Sequence, residues 1–309
     1  MQSPMDWMTI TLLVVVGLWI LANFKTSRPD GTLCKKVHPY RKLMPYIMPT
    51  RNESVVYFDA YTRAEALEEY LTEAGPKLEA NITHCLVAAI SIGLSKHPRL
   101  NQFIMGRRLY ARKGRWLTFS VKRKKLNSES KLSAVKMEMK DGETFAELVD
   151  RINGQISHER SGEKTHADKE YDLFNLLPRP LIKAAQVLVR VLDYYNLLPA
   201  FFIRDDGMYT STFIANLGSL GMAPGYHHLY EWGNSPLFCM VGCIEDKVIV
   251  EDGEMVVRRV LHTRWSYDER IDDGLTAHHG IQTMTEILEN PRDYFGCLAE
   301  DGSDTKPLV

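Results

Sequence analysis

Hydrophobic and polar positions divide the chain abruptly. From Trp7 to Phe24 it reads WMTITLLVVVGLWILANF, without a charged residue. As a helix at about 1.5 Å per residue this run spans roughly 27 Å, close to a hydrocarbon core of about 30 Å. Only Asp6 precedes it, and no small-residue cleavage site follows, so it lacks the flanks of a secretory signal. Lys25, Arg28, Lys35, Lys36, Arg41 and Lys42 come next. The pattern predicts a single-pass membrane anchor over residues 1–24 with the C-terminal domain on the cytoplasmic side.

The rest alternates between helical and strand periods. Residues 25–50 read as a basic linker, broken by Pro29, Pro39, Pro45 and Pro49. A short strand is predicted at 55–58 and a helix at 62–74, with Ala66, Leu67, Tyr70 and Leu71 on one face and Gly75 and Pro76 as its stop. Residues 82–94 are apolar nearly all round, the mark of a buried helix. A strand pair is expected at 103–110 and 115–121, an amphipathic helix at 144–156, a polar loop at 157–170 and a long apolar helix at 180–198. Strands follow at 210–215, 237–241, 247–250, 255–260 and 262–267, then a last helix at 274–288 ended by Asn290 and Pro291. The fold class is therefore α/β, with one main domain over 51–298 and a short tail at 299–309.

Composition narrows the function classes. The 309 residues carry 38 Lys and Arg against 39 Asp and Glu, which excludes bulk positive charge as a source of nucleic-acid affinity. Five cysteines are too few for a disulfide scaffold. Cys239 and Cys243 lack a second pair of ligands, so no metal site is expected. Glu245-Asp246-Lys247 has the look of a lipoyl-lysine turn without the surrounding hairpin module, so no lipoyl attachment is expected. His227-His228 begins an HHxxxDG-like run, but Trp232-Gly233 stands where Asp-Gly is required. Asn216-Leu217-Gly218 with Gly221 is glycine-rich but has no phosphate-loop lysine. Lys122-Arg123-Lys124-Lys125 reads as a solvated strand end.

Three segments, in order, carry a resemblance. They are LVAAISIGLSKHPRLN at 86–101, STFIANLGSLG at 211–221 and the stretch from LFCMVGCIEDK through SYDERIDDG to EILENPRDYF at 237–295. Together they resemble the catalytic domain of the dihydrolipoyl acyltransferases of 2-oxoacid dehydrogenase complexes, with its K-H-P-x-L-N turn, N-L-G segment, D-H-R-x-x-D-G motif and L-L-E-N-P helix. The resemblance implies a two-layer sandwich of the chloramphenicol acetyltransferase type, a homotrimer that can build larger assemblies, and coenzyme A as acyl carrier. It also implies that a CoA channel meets an acceptor channel between subunits.

Two positions depart from that pattern. The acid–base histidine of the family falls at Glu269, and the hydroxyl that steadies the oxyanion falls at Ala215, while Asn216, Gly218, Asp273 and Gly274 are kept. A thiol ionises near pH 8.5; histidine near 6.5 falls about 2 units short of it and an ordinary glutamate near 4.3 about 4. Glu269 can act as base only if desolvated; the plainer expectation is a salt bridge with Arg270 or Arg264. His227 or His228, in a segment read as a strand with alternating faces, is the substitute base. His278 and His279 are expected to face outward from the last helix or to pack. The catalytic candidates are thus Glu269, Asp273, His227 and His228, with Asn216 and Gly218 toward the cofactor. The expected function is that of a membrane-anchored CoA-dependent acyltransferase with an atypical site, or of a non-catalytic scaffold that kept the fold.

Overall fold

The computed structural model describes residues 6–122, 132–160 and 176–309. A six-stranded mixed sheet organises the molecule, in the order β2-β9-β8-β7-β5-β6. Its strands are β2 (Val55–Arg63), β5 (Arg115–Lys122), β6 (Leu132–Met139), β7 (Thr212–Asn216), β8 (Leu237–Glu251) and β9 (Glu254–Asp268). β7 runs parallel to both neighbours, β5 and β8; the remaining pairs are antiparallel. Four helices cover one face: α3 (Glu65–Leu78), α4 (Ile82–Lys96), α5 (Phe145–Arg160) and α8 (Gly274–Glu289).

Alternation along the strands sorts the two faces. Leu237, Cys239, Val241, Leu261, Trp265 and Tyr267 point to the helices, into the main core. Phe213, Phe238 and Met240 point the other way and pack with Leu229 under the 222–236 segment. This is the two-layer arrangement expected. α4 is buried along nearly its whole length, as its all-round apolar sequence requires, and begins with a capping box between Asn81 and His84.

Several expectations are redrawn. α3 runs through Gly75 and Pro76 to Leu78, because Gly75 has no Cβ to meet the proline ring, and it ends at Glu79 in the left-handed region (φ 56°). The stretch at 102–112 does not pair with 115–121. It folds on itself as β3 (Gln102–Met105) and β4 (Arg108–Arg112), to which β1 (Gly31–Leu33) adds a third strand. The four short strands expected at 237–267 are two long ones, β8 and β9, joined at Asp252 and Gly253, both at positive φ as a tight hairpin turn demands. His227 and His228 lie in no strand: Ser266 donates to the His227 carbonyl and Arg51 to that of Tyr230, so side chains take the place of a ladder. The loop expected at 157–170 begins as helix, since α5 continues to Arg160, and its remainder, with Arg123, Lys124 and Lys125, lies outside the described residues.

The segment read as a linker carries β1 and α2 (Pro39–Ile47), and its start is anchored in the body. Arg28 is 4 % exposed and pairs with Asp30 at 2.7 Å and Asp193 at 3.0 Å. Asn234 donates to Asp30, and Arg112 to Asn234. α1 (Trp7–Phe24) stands apart, none of its residues buried. Its end is held to the body where Trp19 Nε1 donates to the Tyr195 hydroxyl at 3.1 Å and Asn196 and Arg108 donate to the Lys25 carbonyl. Tyr195 and Asn196 follow α6 (Arg179–Tyr194), and the short α7 (Ala200–Asp205) comes next.

Candidate functional site

Glu269 sits just past the end of β9, its backbone fixed from both sides. Its amide donates to the Ser54 carbonyl at 3.0 Å, and Arg41 Nη1 donates to its carbonyl at 2.9 Å. The side chain is half-buried and, among the described residues, has neither an ion pair nor a hydrogen bond. The two arginines expected to neutralise it are engaged elsewhere. Arg270 grips Asp268 with two bonds of 2.8 Å, both residues buried, and Arg264 pairs with Asp59 at 2.7 Å. Glu269 is therefore a carboxylate held in place by its backbone with its oxygens left available.

Asp273 has a structural task. It caps α8, accepting from the Thr276 amide at 3.0 Å, and that bond at the helix N-terminus holds its carboxyl below the ordinary aspartate range. Asn216 is likewise engaged: its amide donates to Thr83 and its oxygen accepts from the Ser219 amide. Gly218 is a close-approach glycine, since a Cβ there would lie 2.2 Å from the Gly242 carbonyl oxygen. These three residues fix the shape of the two loops. Ala215, beside Asn216 on β7, pairs with Met240 and offers no hydroxyl.

The two histidines lie together on the outer face of the sheet. His227 stacks on Phe238 with centroids 4.0 Å apart, and His228 stacks on His227 at 4.8 Å. His227 Nδ1 lies 2.7 Å from the His228 carbonyl oxygen, which can only accept, so Nδ1 carries the proton and Nε2 keeps its lone pair. Desolvation outweighs the bond to the His228 carbonyl, which favours the charged ring, and draws the His227 pKa below the ordinary histidine value, so the ring is neutral at pH 7. His228 is exposed. His278 and His279 face solvent on α8, as expected.

Asn216 is level with Val241 on β8 and Thr263 on β9. Glu269 lies six residues beyond Thr263, about 20 Å along the sheet at roughly 3.3 Å per residue. One chain thus carries the two halves of the anticipated centre well apart along its sheet. The histidine pair stands nearer the Glu269 end, where Ser266 holds the His227 carbonyl.

A constellation absent from the sequence-based candidates occupies the same outer face. Asp59 on β2 accepts from His262 Nε2 at 2.6 Å, Arg264 Nε at 2.7 Å and the Tyr226 hydroxyl at 3.0 Å. Burial opposes its charge, but these three bonds outweigh it and keep the carboxyl below the usual range. Tyr61 stacks on His262 at 4.4 Å. The alternation of His262 with Arg264, opposite Tyr61 and Asp59, was the available signal; it becomes meaningful only once the β2–β9 register is known.

No cluster of metal-ligating side chains occurs among the described residues.

Residues 204–295 match the family model of the 2-oxoacid dehydrogenases acyltransferase catalytic domain. A curated relative, the dihydrolipoyllysine-residue succinyltransferase component of the 2-oxoglutarate dehydrogenase complex of Cupriavidus necator, is 38 % identical over 60 residues, which are 19 % of this chain and 14 % of that protein. Among solved structures, a probable dihydrolipoamide acetyltransferase from Listeria monocytogenes superposes with a TM-score of 0.56 at 13 % identity, over 91 % of this chain and 98 % of the other. A chloramphenicol acetyltransferase superposes at 0.50 and 11 % identity, over 84 % and 98 %. The fold is that of these acyltransferase cores, and the chain resembles the acyltransferase catalytic domain in sequence as well.

Proposed function

We propose that the chain is a membrane-anchored, CoA-dependent acyltransferase whose centre is atypical and is completed between copies of the chain. The observation that carries this reading is the separation of Glu269 from the Asn216–Gly218 turn. Each half is held in a defined conformation, and only a second copy can bring them together. A homotrimer meets that requirement and agrees with the acyltransferase resemblance. The arm formed by β8 and β9 supports self-association: Val248, Val250, Met255 and Val257 are 64–80 % exposed on adjacent strands, a surface suited to a second copy. α1 is the membrane anchor of this reading, an uncharged helix of 18 residues.

The acyl group travels on the CoA thiol, and the acceptor is a thiol, alcohol or amine. Glu269 or the neutral Nε2 of His227 takes the acceptor proton as the acceptor bonds the acyl carbon, and returns it to the CoA thiolate released when the thioester C–S bond breaks; His228 lies alongside. Glu269 requires a neighbouring copy to cover and desolvate it; His227 does not. With Ala215 in place of a hydroxyl, one oxyanion donor is missing, which costs on the order of 10²–10³ in rate.

A second reading has its own support. Asn216, Gly218 and Asp273 all serve the backbone, so the fold alone accounts for their presence. A scaffold that kept the trimer and lost the chemistry agrees with both Glu269 and Ala215. Calorimetry of the full chain with CoA and acetyl-CoA, followed by turnover of wild type, Glu269→Ala, His227→Ala and His228→Ala, separates the two. Enzyme function predicts CoA binding and a rate lost in one of the variants. Absence of CoA binding leaves the scaffold. Carbonate extraction of membranes tests the anchor, and recovery of the chain in the soluble fraction rejects it.

A further inference from the structure

Between the Arg51 segment, the β3–β4 hairpin, α6 and Trp232 lies a cavity of about 240 Å³. Four arginines line it (Arg51, Arg107, Arg190 and Arg270) with two acids, Asp193 and Glu231, so positive charge predominates. Three of these charges are already committed. Arg270 holds Asp268, Asp193 holds Arg28, and Glu231 accepts from the amide and side chain of Asn52.

Arg51, Arg107 and Arg190 make no ion pair among the described residues, and of the three only Arg51 is buried. It is 5 % exposed, yet among the described residues it donates one hydrogen bond, Nη1 to the Tyr230 carbonyl at 3.0 Å, and has no carboxylate within ion-pair distance. Desolvation draws its pKa down, while the more distant Asp268 pushes the other way. A buried guanidinium with unspent donors beside an open cavity is suited to a planar or tetrahedral oxyanion, which its fork can grip with two bonds.

The remaining walls favour an amphiphile. Ile104, Val189 and Tyr194 give the cavity an apolar side, and the exposed Arg107 and Arg190 flank it. Arg107 lies over the ring of Tyr46 on α2 at 4.8 Å. Outward from this corner both helices are apolar: Leu43, Tyr46 and Ile47 on α2 and Leu181, Leu188 and Val191 on α6 are 46–58 % exposed. The same corner holds the end of α1, through Trp19 to Tyr195 and through Lys25 to Asn196 and Arg108. A bilayer entered by α1 would therefore lie against these exposed faces.

We propose that this cavity binds the phosphate headgroup of an anionic lipid, with Arg51 at the base, Arg107 and Arg190 at the entrance, and the acyl chains along the apolar faces of α2 and α6. The source of the lipid rests on the reading of α1 as a membrane anchor; the phosphate site rests on Arg51 and the cavity.

The test uses the full chain in neutral detergent, titrated with dioctanoyl phosphatidylglycerol, dioctanoyl phosphatidylcholine and inorganic phosphate, with binding and melting temperature both read. Phosphatidylglycerol should bind and raise the melting temperature, while phosphatidylcholine should do neither. Arg51→Gln should weaken the anionic lipid by about tenfold or more. The Arg107→Gln/Arg190→Gln double variant should weaken it several-fold; both side chains are exposed, so this variant decides the matter if Arg51→Gln fails to fold. Equal responses to the two lipids, or an unchanged affinity in the double variant, would overturn the proposal. Inorganic phosphate bound as tightly as the lipid would overturn the lipid assignment in favour of a free phosphate. Carbonate extraction reports on α1 alone and CoA calorimetry on the acyltransferase reading, so failure of either is distinguished from failure of the cavity.

Discussion

Glu269 and Asn216 are set about 20 Å apart along one sheet, at the far end of β9 and the near end of the β7 turn. No side-chain rearrangement spans that distance. In the proposed reading, the chemistry that joins them belongs to an assembly.

If the centre forms between copies, two inactive variants should complement each other. Glu269→Ala and Asn216→Ala, each impaired alone, should regain part of the wild-type rate when mixed oligomers are formed, because some interfaces then unite two intact halves. Turnover after mixing under conditions that exchange subunits checks this. No recovery from stably mixed oligomers would place the reaction within one chain.

Removing residues 1–34 should destabilise the domain, whereas removing residues 1–24 should not. Arg28 and Asp30 pair with each other within the body, and Arg28 also binds the buried Asp193, with Arg112 beside Asp30. Breaking such a buried pair costs about 3–5 kcal/mol. Urea unfolding of chains beginning at Lys25 and at Lys35 measures the difference, and equal midpoints would contradict the network's role.

Gly218→Ala should lower stability by about 1–3 kcal/mol, because its Cβ would meet the Gly242 carbonyl at 2.2 Å and force two backbones apart. Gly253→Ala is a poorer control, since φ there is 87°. Gly154→Ala is better: it lies on α5 with nothing within 4 Å of the new Cβ, and should be neutral or slightly stabilising. Thermal melts of the two variants test the contrast.

Lys136 gives a pH signature. Burial lowers its pKa to about 8, with Arg112 adding repulsion, while its ammonium donates to the Ile203 and Asp206 carbonyls. An unfolded lysine titrates near 10.5, so between pH 8 and 10.5 the unfolded chain holds more protons than the folded one. This group's contribution to stability should therefore rise with pH across that window and be flat below it. Unfolding free energies at a series of pH values, for wild type and Lys136→Met, should show the slope disappearing in the variant.

The element types were legible because they rest on local periods. The buried helix expected at 82–94, the amphipathic helix at 144–156 and the β character of 210–215 and 237–267 follow from spacing alone. The motif positions 216, 218, 269 and 273 were also identifiable by sequence. What they do was not. Asn216 and Asp273 are polar residues that the motif placed at a reactive centre, and the structure shows each bonded to nearby backbone. Salt-bridge partners were not legible either: Arg264 chose Asp59, more than 200 residues away, because the β2–β9 register places the two directly opposite.

By itself, the sequence determined the uncharged helix at 7–24, the α/β class, the segments shared with acyltransferase cores and the identities Glu269 and Ala215, since each is a property of neighbouring residues or of one position. Tertiary structure alone decided that residues 28–33 are body and not linker, that Asp59, His262 and Tyr226 meet, that Arg51 is buried beside a cavity with no carboxylate in ion-pair contact, and that Glu269 and Asn216 lie about 20 Å apart along the sheet. These depend on strand order and register, which bring together residues far apart in the chain, and a long-range pairing leaves no periodic trace in a single sequence.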